Sequence, residues 1–492
     1  MATQIESLAK HTGVYGAGTI VGGIARAALV PIIARYVPAD EYGKASVVLI
    51  LVALLGIVSE MGLSASLIKF VNEAPTEEGR RRVVATVLGG SLAIALPIAL
   101  AAGLAAGPLS RLLLGSDRYA ALVVVGVVGG LGNALLQVGL AFERALARSF
   151  SYFLYTLAKG LASLVLSIAL VVALKRGAAG LLVGAALPPM ALGIVIYGRL
   201  LARCGLGFSR KIFKSVFEFG GPLVPMNLAM WVLASLDIYL LRRLATTPEA
   251  LAEVGLYQYA HEICLLLVLP ITALNLAWPQ FIFSNSAKPE GRVLFARVQG
   301  YFAFFLVEGA FLMSMFAGEI VKLVGSAQYL GSAGVIPLLA ASLVSYGLSI
   351  LFASGLYLSG KTRSLAAIVA VCAALNVALN ILLIPRMGKQ GAALATAVTN
   401  LLMAAAVLAA SQRAYRIPYR LGRTALAVAA AAATVGGLAW AARGYPALGG
   451  WPPRLLATVA VSLALFAVFG LKPADLRNAV RTLLPFLRPS AE

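Results

Sequence analysis

Long apolar runs separated by short polar segments extend along almost the whole chain. Each run holds roughly 20 residues, the number that an α-helix needs to cross a hydrocarbon core about 30 Å thick. The pattern therefore predicts an all-α polytopic membrane protein with about 14 transmembrane helices. The predicted spans are residues 12–37, 43–69, 83–110, 119–142, 152–174, 178–198, 218–244, 254–283, 298–321, 330–358, 364–385, 391–411, 424–442 and 455–471.

Composition agrees with a membrane protein, because 61% of the 492 residues are hydrophobic, 12% are charged and the mean hydropathy is +0.92. No predicted loop exceeds about 20 residues, which is too short for an inserted soluble domain. We therefore expect no enzyme activity and no catalytic residues. The net charge of +21 is attributed to positively charged loops that face anionic lipid, and no nucleic-acid partner is predicted.

The sequence has no pattern typical of a metal or another cofactor. Cys204, Cys264 and Cys372 lie in or beside apolar runs without paired spacing. The dipeptide His261-Glu262 resembles the start of a zinc-protease motif, but Leu265 stands where the second histidine is required.

The charges of the loops predict the orientation in the membrane. Lys and Arg number 25 on one side and 13 on the other when successive loops are assigned to alternate sides. Positively charged loops remain in the cytoplasm, so both termini, including a tail at 472–492, are expected to be cytoplasmic.

A weak internal repeat predicts two pseudo-symmetric lobes of six helices around a central cavity. Glu41-Tyr42-Gly43 precedes span 2 and Glu253-Val254-Gly255 precedes span 8, at nearly the same distance from the start of each half. Transporters built from such repeats place their site between the lobes. The predicted organisation is an N-lobe at 1–198, a cytoplasmic basic linker at 199–217, a C-lobe at 218–411 and an additional helix pair at 412–471.

Two cations inside spans are candidates for substrate binding. Arg26 lies about 16 Å from the outer end of span 1, and a charge near the bilayer centre costs about 2.5–3.5 kcal/mol. It should therefore face a cavity or pair with a carboxylate such as Glu60, which is itself a candidate coupling residue. Lys159 lies about seven residues into span 5, where it either faces the cavity or extends its charge to the interface.

Acidic groups inside spans are candidates for ion coupling. Asp237, His261 and Glu262 fall at one depth on consecutive antiparallel spans, where they could pair and bind a proton. A neutralised structural pair is the alternative. Glu308, near the middle of span 9, is a further candidate.

Asn376 and Asn380, one turn apart on span 11, could bind substrate or hydrogen-bond between helices. Prolines within spans, Pro188-Pro189, Pro270 and Pro337 among them, are expected to kink helices.

The segment GLYLSGKT at 355–362 fits the phosphate-loop pattern G-x-x-x-x-G-K-[ST]. It follows an apolar span, however, and a phosphate loop requires a preceding strand and a following helix N-terminus outside the membrane. We therefore predict that Gly360 ends a helix, that Lys361 marks the cytoplasmic face, and that no nucleotide binds.

Three segments resemble a known family. They are VYGAGTIVGGIARAALVPIIARYVPADEYGKASVV near the start, EVGLYQYAHEICLLLVLP from Glu253 to Pro270, and LNVALNILLIPRMGKQGAALATAVTN from Leu375 to Asn400. Together they are similar to the polysaccharide-transporter branch of the superfamily of multidrug, oligosaccharidyl-lipid and polysaccharide flippases. Arg26 matches the kind of cavity arginine found in such flippases, and Asp237 matches an acidic position common on span 7.

The resemblance implies a bacterial inner-membrane flippase with alternating access. Its expected substrate is an undecaprenyl-pyrophosphate-linked oligosaccharide used for O-antigen (lipopolysaccharide), capsule or exopolysaccharide synthesis. Expected partners are H⁺ or Na⁺, the lipid bilayer, a polysaccharide polymerase and glycosyltransferases. The alternatives are a peptidoglycan-precursor lipid flippase and a drug/cation antiporter of the same superfamily.

Overall fold

The computed structural model describes residues 22–205, 207–247, 249–445 and 450–470. These residues are almost entirely helical, and no strand occurs among them. In chain order the helices are α1 (helical at 22–36), α2 (Ala39–Glu60), α3 (Leu63–Glu73), α4 (Glu77–Leu104), α5 (Ala106–Leu114), α6 (Ala120–Ala145), α7 (Ser149–Ile168), α8 (Gly177–Cys204), α9 (Arg210–Gly220), α10 (Val224–Leu244), α11 (Ala250–Ile263), α12 (Leu265–Asn285), α13 (Gly291–Met315), α14 (Ala317–Val324), α15 (Ile336–Phe352), α16 (Ser354–Leu358), α17 (Thr362–Met387), α18 (Lys389–Ala414), α19 (Leu421–Gly444) and α20 (Trp451–Phe469).

The observed spans confirm the predicted class of fold. Within the described ranges, 12 spans are long and apolar enough to cross a membrane, and the consecutive helices α11 and α12 bring the number to 13 if they form one span. These correspond to predicted spans 2 to 14. Predicted span 1, residues 12–37, lies partly outside the described residues, and the predicted tail at 472–492 lies wholly outside them.

Contacts between Cα atoms divide the chain into two compact units. The first is Met1–Leu265, Val321–Ser332 and Val369–Thr396, and the second is Leu266–Ile320, Ala333–Ile368 and Ala397–Glu492. The predicted lobes follow the order of the spans and stay a prediction. The predicted linker at 199–217 contains the end of α8 and most of α9.

Glycines bring α6 and α8 into close contact in the first unit. A Cβ added to Gly132 would lie 2.6 Å from the backbone of Met190, and one added to Gly193 would lie 3.3 Å from the carbonyl oxygen of Gly132. Small residues at such contacts allow membrane helices to approach backbone to backbone. The apolar core beside this contact contains Leu136 and Ile196, each of which is only 1% exposed.

The second unit has its own core around the indole of Trp278. Its ring packs against Phe281 and Phe295, and its Nε1 donates to Ser354 Oγ at 2.9 Å. A partner of this kind is usual for the polar N–H of a buried tryptophan. The predicted additional helix pair is α19 and α20, both of which pack against α13 in this unit.

The prolines occupy two kinds of position. Pro188-Pro189 and Pro270 lie inside α8 and α12. Pro337, expected to kink span 10, instead lies in the first turn of α15. The missing N–H of proline has no helical partner there in any case, so the residue starts the helix instead of bending it.

The phosphate-loop match is a helix C-terminus, as predicted. Helix α16 ends at Leu358, and Gly360 has a φ of +70°. The Gly360 N–H donates to Tyr357 O at 3.1 Å and the Lys361 N–H donates to Leu356 O at 2.9 Å. This is the Schellman arrangement, in which glycine accommodates the left-handed backbone. Residues 355–360 therefore form the carbonyl end of a helix, which repels phosphate. Although Thr362 begins α17, an apolar helix precedes it where a phosphate loop requires a strand.

Candidate substrate and coupling site

An arginine and a glutamate from distant parts of the sequence pair in the first unit. Arg26 on α1 donates from Nε to Glu262 Oε1 on α11 at 3.1 Å, and its Nη2 binds the same oxygen. Gln258 Nε2 also donates to that oxygen, at 2.9 Å. The Arg26 side chain is 59% exposed whereas that of Glu262 is 6% exposed. The carboxylate is therefore buried and satisfied at one oxygen, and the guanidinium remains accessible.

The exposed guanidinium keeps donors for a further partner. Arginine carries five N–H donors, and the two bonds to Glu262 use only part of them. Among the described residues, Glu262 is the carboxylate that pairs with Arg26, and the predicted alternative, Glu60, has another partner. Glu60 Oε1 accepts from the Ser64 N–H at 3.1 Å, where α2 gives way to α3.

Contacts from the loop before α15 hold the end of α1 that lies beyond Arg26. Ser326 Oγ and Gln328 Nε2 donate to Ala34 O at 2.5 and 3.1 Å, and Tyr329 Oη donates to Val37 O at 3.0 Å. Burial raises the pKa of the Tyr329 phenol well above its ordinary value, and Tyr259 and Asp40 add to the rise. The phenol thus stays protonated and able to donate at physiological pH.

Asp237 belongs to a second buried group rather than to a pair with Glu262. The residue is 2% exposed, and its Oδ2 accepts from Tyr257 Oη at 2.5 Å and from Thr396 Oγ1 at 3.3 Å. The His261 ring lies 5.9 Å from that of Tyr257. The sequence placed Asp237, His261 and Glu262 where they could pair, but the two carboxylates take different partners because Tyr257 and Gln258 supply a donor to each.

Lys159 contacts a polar group of a neighbouring helix. Its Nζ lies 3.5 Å from Asn133 Oδ1 on α6, and the side chain is partly buried. Asn376 and Asn380 are 1% and 0% exposed, and Asn380 Nδ2 donates to Asn376 O at 2.8 Å and to its Oδ1 at 3.0 Å. Their roles in substrate binding stay predictions.

Glu308 lies in the second unit, against the last described helix. Ser462 Oγ on α20 donates to Glu308 Oε1 at 2.6 Å, while Oε2 is buried without a hydrogen-bond partner among the described residues. Arg454, also on α20, donates to Glu319 at 2.6 Å. Helix α20 of the additional pair therefore contacts a predicted coupling carboxylate, and the role of Glu308 in coupling stays a prediction.

The two copies of the sequence repeat perform the same structural task. Glu41 Oε2 accepts from the Ala178 N–H at 3.2 Å, beside Gly177 at a φ of +50°. Glu253 Oε2 accepts from the Lys389 N–H at 3.3 Å, beside Gly388 at a φ of +55°. In each copy a glutamate thus satisfies an N–H at the start of a later helix, α8 or α18, where no intrahelical partner exists.

The two copies also touch each other. A Cβ on Gly43 would lie 1.9 Å from Leu251 O, and a Cβ on Gly255 would lie 1.8 Å from Ala39 O. Each glycine therefore faces the carbonyl oxygen four residues before the other glycine. We call this contact between α2 and α11 the glycine seam.

Sequence reasoning missed several partners at the site. Tyr257, Gln258 and Lys389 carry the polar contacts described above, but each reads as an ordinary residue of a span or loop. The spacing of Gln258 and Glu262, one helical turn apart, is the signal that could have revealed the first group.

An all-helical membrane protein with an internal repeat and ion pairs inside its spans has the organisation of a secondary transporter. The family model described as "Polysaccharide biosynthesis protein" matches residues 32–334, so the chain belongs to that family. No curated protein sequence matches the chain significantly.

Solved structures of low sequence identity share the fold. "Lipid II flippase MurJ, inward closed conformation" superposes with a TM-score of 0.74 at 14% identity, over 92% of this chain and 98% of that one. An inward-facing "multidrug resistance MATE family transporter of the MOP superfamily" gives 0.61 at 16% identity, over 80% and 97%. A structure described as the "Outward-facing conformation of a multidrug resistance MATE family transporter of the MOP superfamily" gives 0.56 at 16% identity, over 82% and 95%. The predicted resemblance is confirmed at the level of family and fold.

Proposed function

We propose that the protein is a flippase that moves an undecaprenyl-pyrophosphate-linked oligosaccharide from the cytoplasmic to the outer leaflet of the bacterial inner membrane by alternating access. The observation that carries the proposal is the exposed Arg26, held at one edge by a buried carboxylate and with donors left over. A pyrophosphate cannot cross hydrocarbon without cations that replace its hydration, and guanidinium binds phosphate in a two-pronged geometry. Membership of the polysaccharide biosynthesis family supports this class of cargo.

In this mechanism Glu262 positions the cation and takes part in coupling. When Arg26 binds the pyrophosphate, its bond to Glu262 weakens, and the buried carboxylate must then take up a proton or a sodium ion. Asp237, His261 and Glu308 are further candidates for this coupling, and Lys159 is a second cation for the headgroup. No enzymatic step is involved. Glycosyltransferases would act on the substrate before transport, and a polymerase would act on it afterwards.

The glycine seam supports alternating access. It lies at the end of α2 and α11 that is predicted to face outwards, where the two repeat copies would have to separate for release. The cytoplasmic placement of both termini, inferred from the loop charges, gives this orientation.

Reconstitution tests the proposal. Proteoliposomes that contain the labelled lipid-linked oligosaccharide are assayed for its appearance in the outer leaflet, with a pH or a sodium gradient imposed separately. Arg26→Ala should lower the rate at least tenfold, and Arg26→Lys should recover only part of it, because the ammonium lacks the planar fork. Arg35→Ala, an exposed arginine of the same helix, is the matched control. Equal rates for Arg26→Ala and Arg35→Ala would exclude Arg26 as the anchor.

A test of coupling uses Glu262→Gln. This change keeps the shape of the side chain and removes its charge, so flipping should lose its response to the driving gradient while substrate binding persists. A variant that still responds to both gradients as the original protein does would exclude Glu262 from coupling.

A second candidate cargo is a peptidoglycan-precursor lipid, favoured by the fold shared with the lipid II flippase. The same vesicles loaded with lipid II decide between the two. Faster flipping of lipid II than of the lipid-linked oligosaccharide would overturn the first choice of substrate.

A further inference from the structure

Three arginines of the second unit line one pocket, which lies where helices of that unit begin or end. The pocket has a volume of about 390 Å³ and is bordered by Arg297 on α13 and by Arg420 and Arg423 at the start of α19. All three side chains are exposed, and α20 ends beside them at Gly470, where an added Cβ would lie 3.2 Å from Arg423 Nη1. Cations from separate parts of the chain thus converge on one concave surface.

The charge in this pocket is unpaired within the described part of the chain. No aspartate or glutamate lines it, and none of the three arginines forms a salt bridge with a described residue. By contrast, Arg81 and Arg82 on α4 pair with glutamates one turn away. Three like charges around one pocket repel each other, and an anion bound between them would relieve that repulsion.

The rest of the lining combines neutral donors with apolar surface. Gln299 Nε2 lies 3.5 Å from Thr424 Oγ1 and joins α13 to α19, while Pro418 and Phe469 supply apolar walls. The three loops or helix ends that form the pocket are all predicted to be cytoplasmic. The cytoplasmic leaflet is the one rich in anionic lipid, and basic pockets between helices on that side bind lipid headgroups.

An apolar groove continues from the pocket along α19. Thr424 lines both cavities, and the groove of about 810 Å³ extends past Ala429 to Gly436 between α19 and helices α13, α15 and α18. At 1.5 Å per residue, the stretch from Thr424 to Gly436 is about 18 Å long, which exceeds half of a hydrocarbon core of about 30 Å. A free phosphate has no apolar part that could lie in such a groove, whereas one acyl chain of a phospholipid fits along it.

We propose that Arg297, Arg420 and Arg423 form a binding site for the phosphate headgroup of an anionic phospholipid, one acyl chain of which lies in the groove along α19. The site is separate from Arg26 and Glu262, which belong to the other unit. Phospholipid binding there does not depend on the proposed flippase function.

Native mass spectrometry of the full-length protein in detergent tests the site, with phosphatidylglycerol and phosphatidylcholine as the probes. The original protein should bind phosphatidylglycerol more tightly than phosphatidylcholine. Arg297→Gln/Arg420→Gln/Arg423→Gln should weaken phosphatidylglycerol binding at least about tenfold, because each cation near an anionic headgroup contributes to its attraction.

The matched control removes the same charge elsewhere in the same unit. Lys361→Gln/Arg363→Gln/Arg413→Gln changes three exposed cations outside the pocket and should leave the affinity within about twofold, the scatter expected for surface changes. Equal losses in the two triple variants would show attraction by net charge alone and would overturn the site.

A second pair of variants separates a lipid from a free anion. Ala429→Phe fills the groove and should weaken binding of phosphatidylglycerol, whereas Ala433→Phe, exposed but outside the groove, should not. If millimolar inorganic phosphate displaces phosphatidylglycerol from the pocket and Ala429→Phe has no effect, the pocket binds a free anion and the lipid assignment is wrong.

Discussion

The two copies of the repeat share a frame and differ in the chemistry that it carries. In both, a glutamate satisfies an N–H in the first turn of a later helix, and a glycine two residues further on meets the opposite copy. At equivalent positions the second copy has Tyr257, Gln258 and Glu262, where the first has Ala45, Ser46 and Ile50. One copy therefore holds a polar cluster in the membrane, and the other presents small or apolar side chains.

The two glutamates also form ion pairs with different kinds of partner. Glu41 pairs with Lys44, one turn along its own helix, at 2.5 Å, and Lys44 also contacts Asp40. Glu253 pairs with Lys389, the residue whose N–H it already accepts, at 2.7 Å. At the position of Lys44 the second copy has Leu256. The comparison teaches that geometry is preserved between the copies while polar groups are redistributed around it.

The largest expected effect is at the glycine seam. Gly255→Ala and Gly43→Ala each place a Cβ within 2 Å of a carbonyl oxygen, so α2 and α11 must separate. We expect each to lower the free energy of unfolding by about 3 kcal/mol, the upper part of the range for overpacking. Thermal unfolding measures this, with Gly103→Ala as the control because a Cβ there meets nothing within 4 Å. Stability equal to that of Gly103→Ala would refute the reciprocal contact.

Next comes the polar cluster that only the second copy has. Tyr257→Phe removes a donor from the buried Asp237 and should lower the free energy of unfolding by about 2 kcal/mol, the worth of a hydrogen bond to a charged group. Tyr259→Phe is the matched control, because the Tyr259 hydroxyl is buried without a hydrogen-bond partner among the described residues. Thermal unfolding of both variants checks this, and similar stabilities would contradict the assigned bond.

Glu253 and Glu41 should contribute unequally to the free energy of unfolding. Glu253→Ala leaves Lys389 without its carboxylate partner and removes a helix cap, so a loss of about 1.5 kcal/mol is expected. Glu41→Ala should lose about half as much, because Lys44 retains Asp40 and Glu41 is itself 34% exposed. Double-mutant cycles with Lys389→Ala and Lys44→Ala measure the two pairs separately. Equal coupling energies would remove the proposed difference between the copies.

The smallest effect is expected at Ser46. Its hydroxyl donates to Tyr42 O at 2.8 Å within the same helix, and Ser46→Ala should change the free energy of unfolding by less than about 0.5 kcal/mol. At the equivalent position, Gln258→Ala removes a donor from the buried Glu262 and should cost about 1 kcal/mol. Thermal unfolding under one set of conditions ranks the two, and the reverse order would contradict the comparison.

The fold could be predicted in large part from the sequence because length and hydropathy alone define a span. Predicted spans 2 to 14 correspond to observed helices for this reason. The repeat was visible in Glu41-Tyr42-Gly43 and Glu253-Val254-Gly255, but the meeting of the two glycines was not. A close approach between helices far apart in sequence leaves no local pattern.

The partners at the site were the least predictable part. Depth along a span placed Asp237 and Glu262 at one level, yet depth does not specify which face of a helix meets which neighbour. Arg26 pairs with Glu262 across 236 residues, and Glu253 meets Lys389 across 136. Such contacts depend on the packing of whole helices, which periodicity in a single segment cannot give.

The glycine seam has the form of an isologous interface, the kind that joins two identical subunits about a two-fold axis. In such an interface residue i contacts residue j of the partner, and j contacts i. Here Gly43 faces the Leu251 carbonyl and Gly255 faces the Ala39 carbonyl, so both halves of the interface lie in one polypeptide. A chain that carries two copies can keep this two-fold contact while changing the residues around one copy alone, a freedom that a homodimer of identical halves does not have.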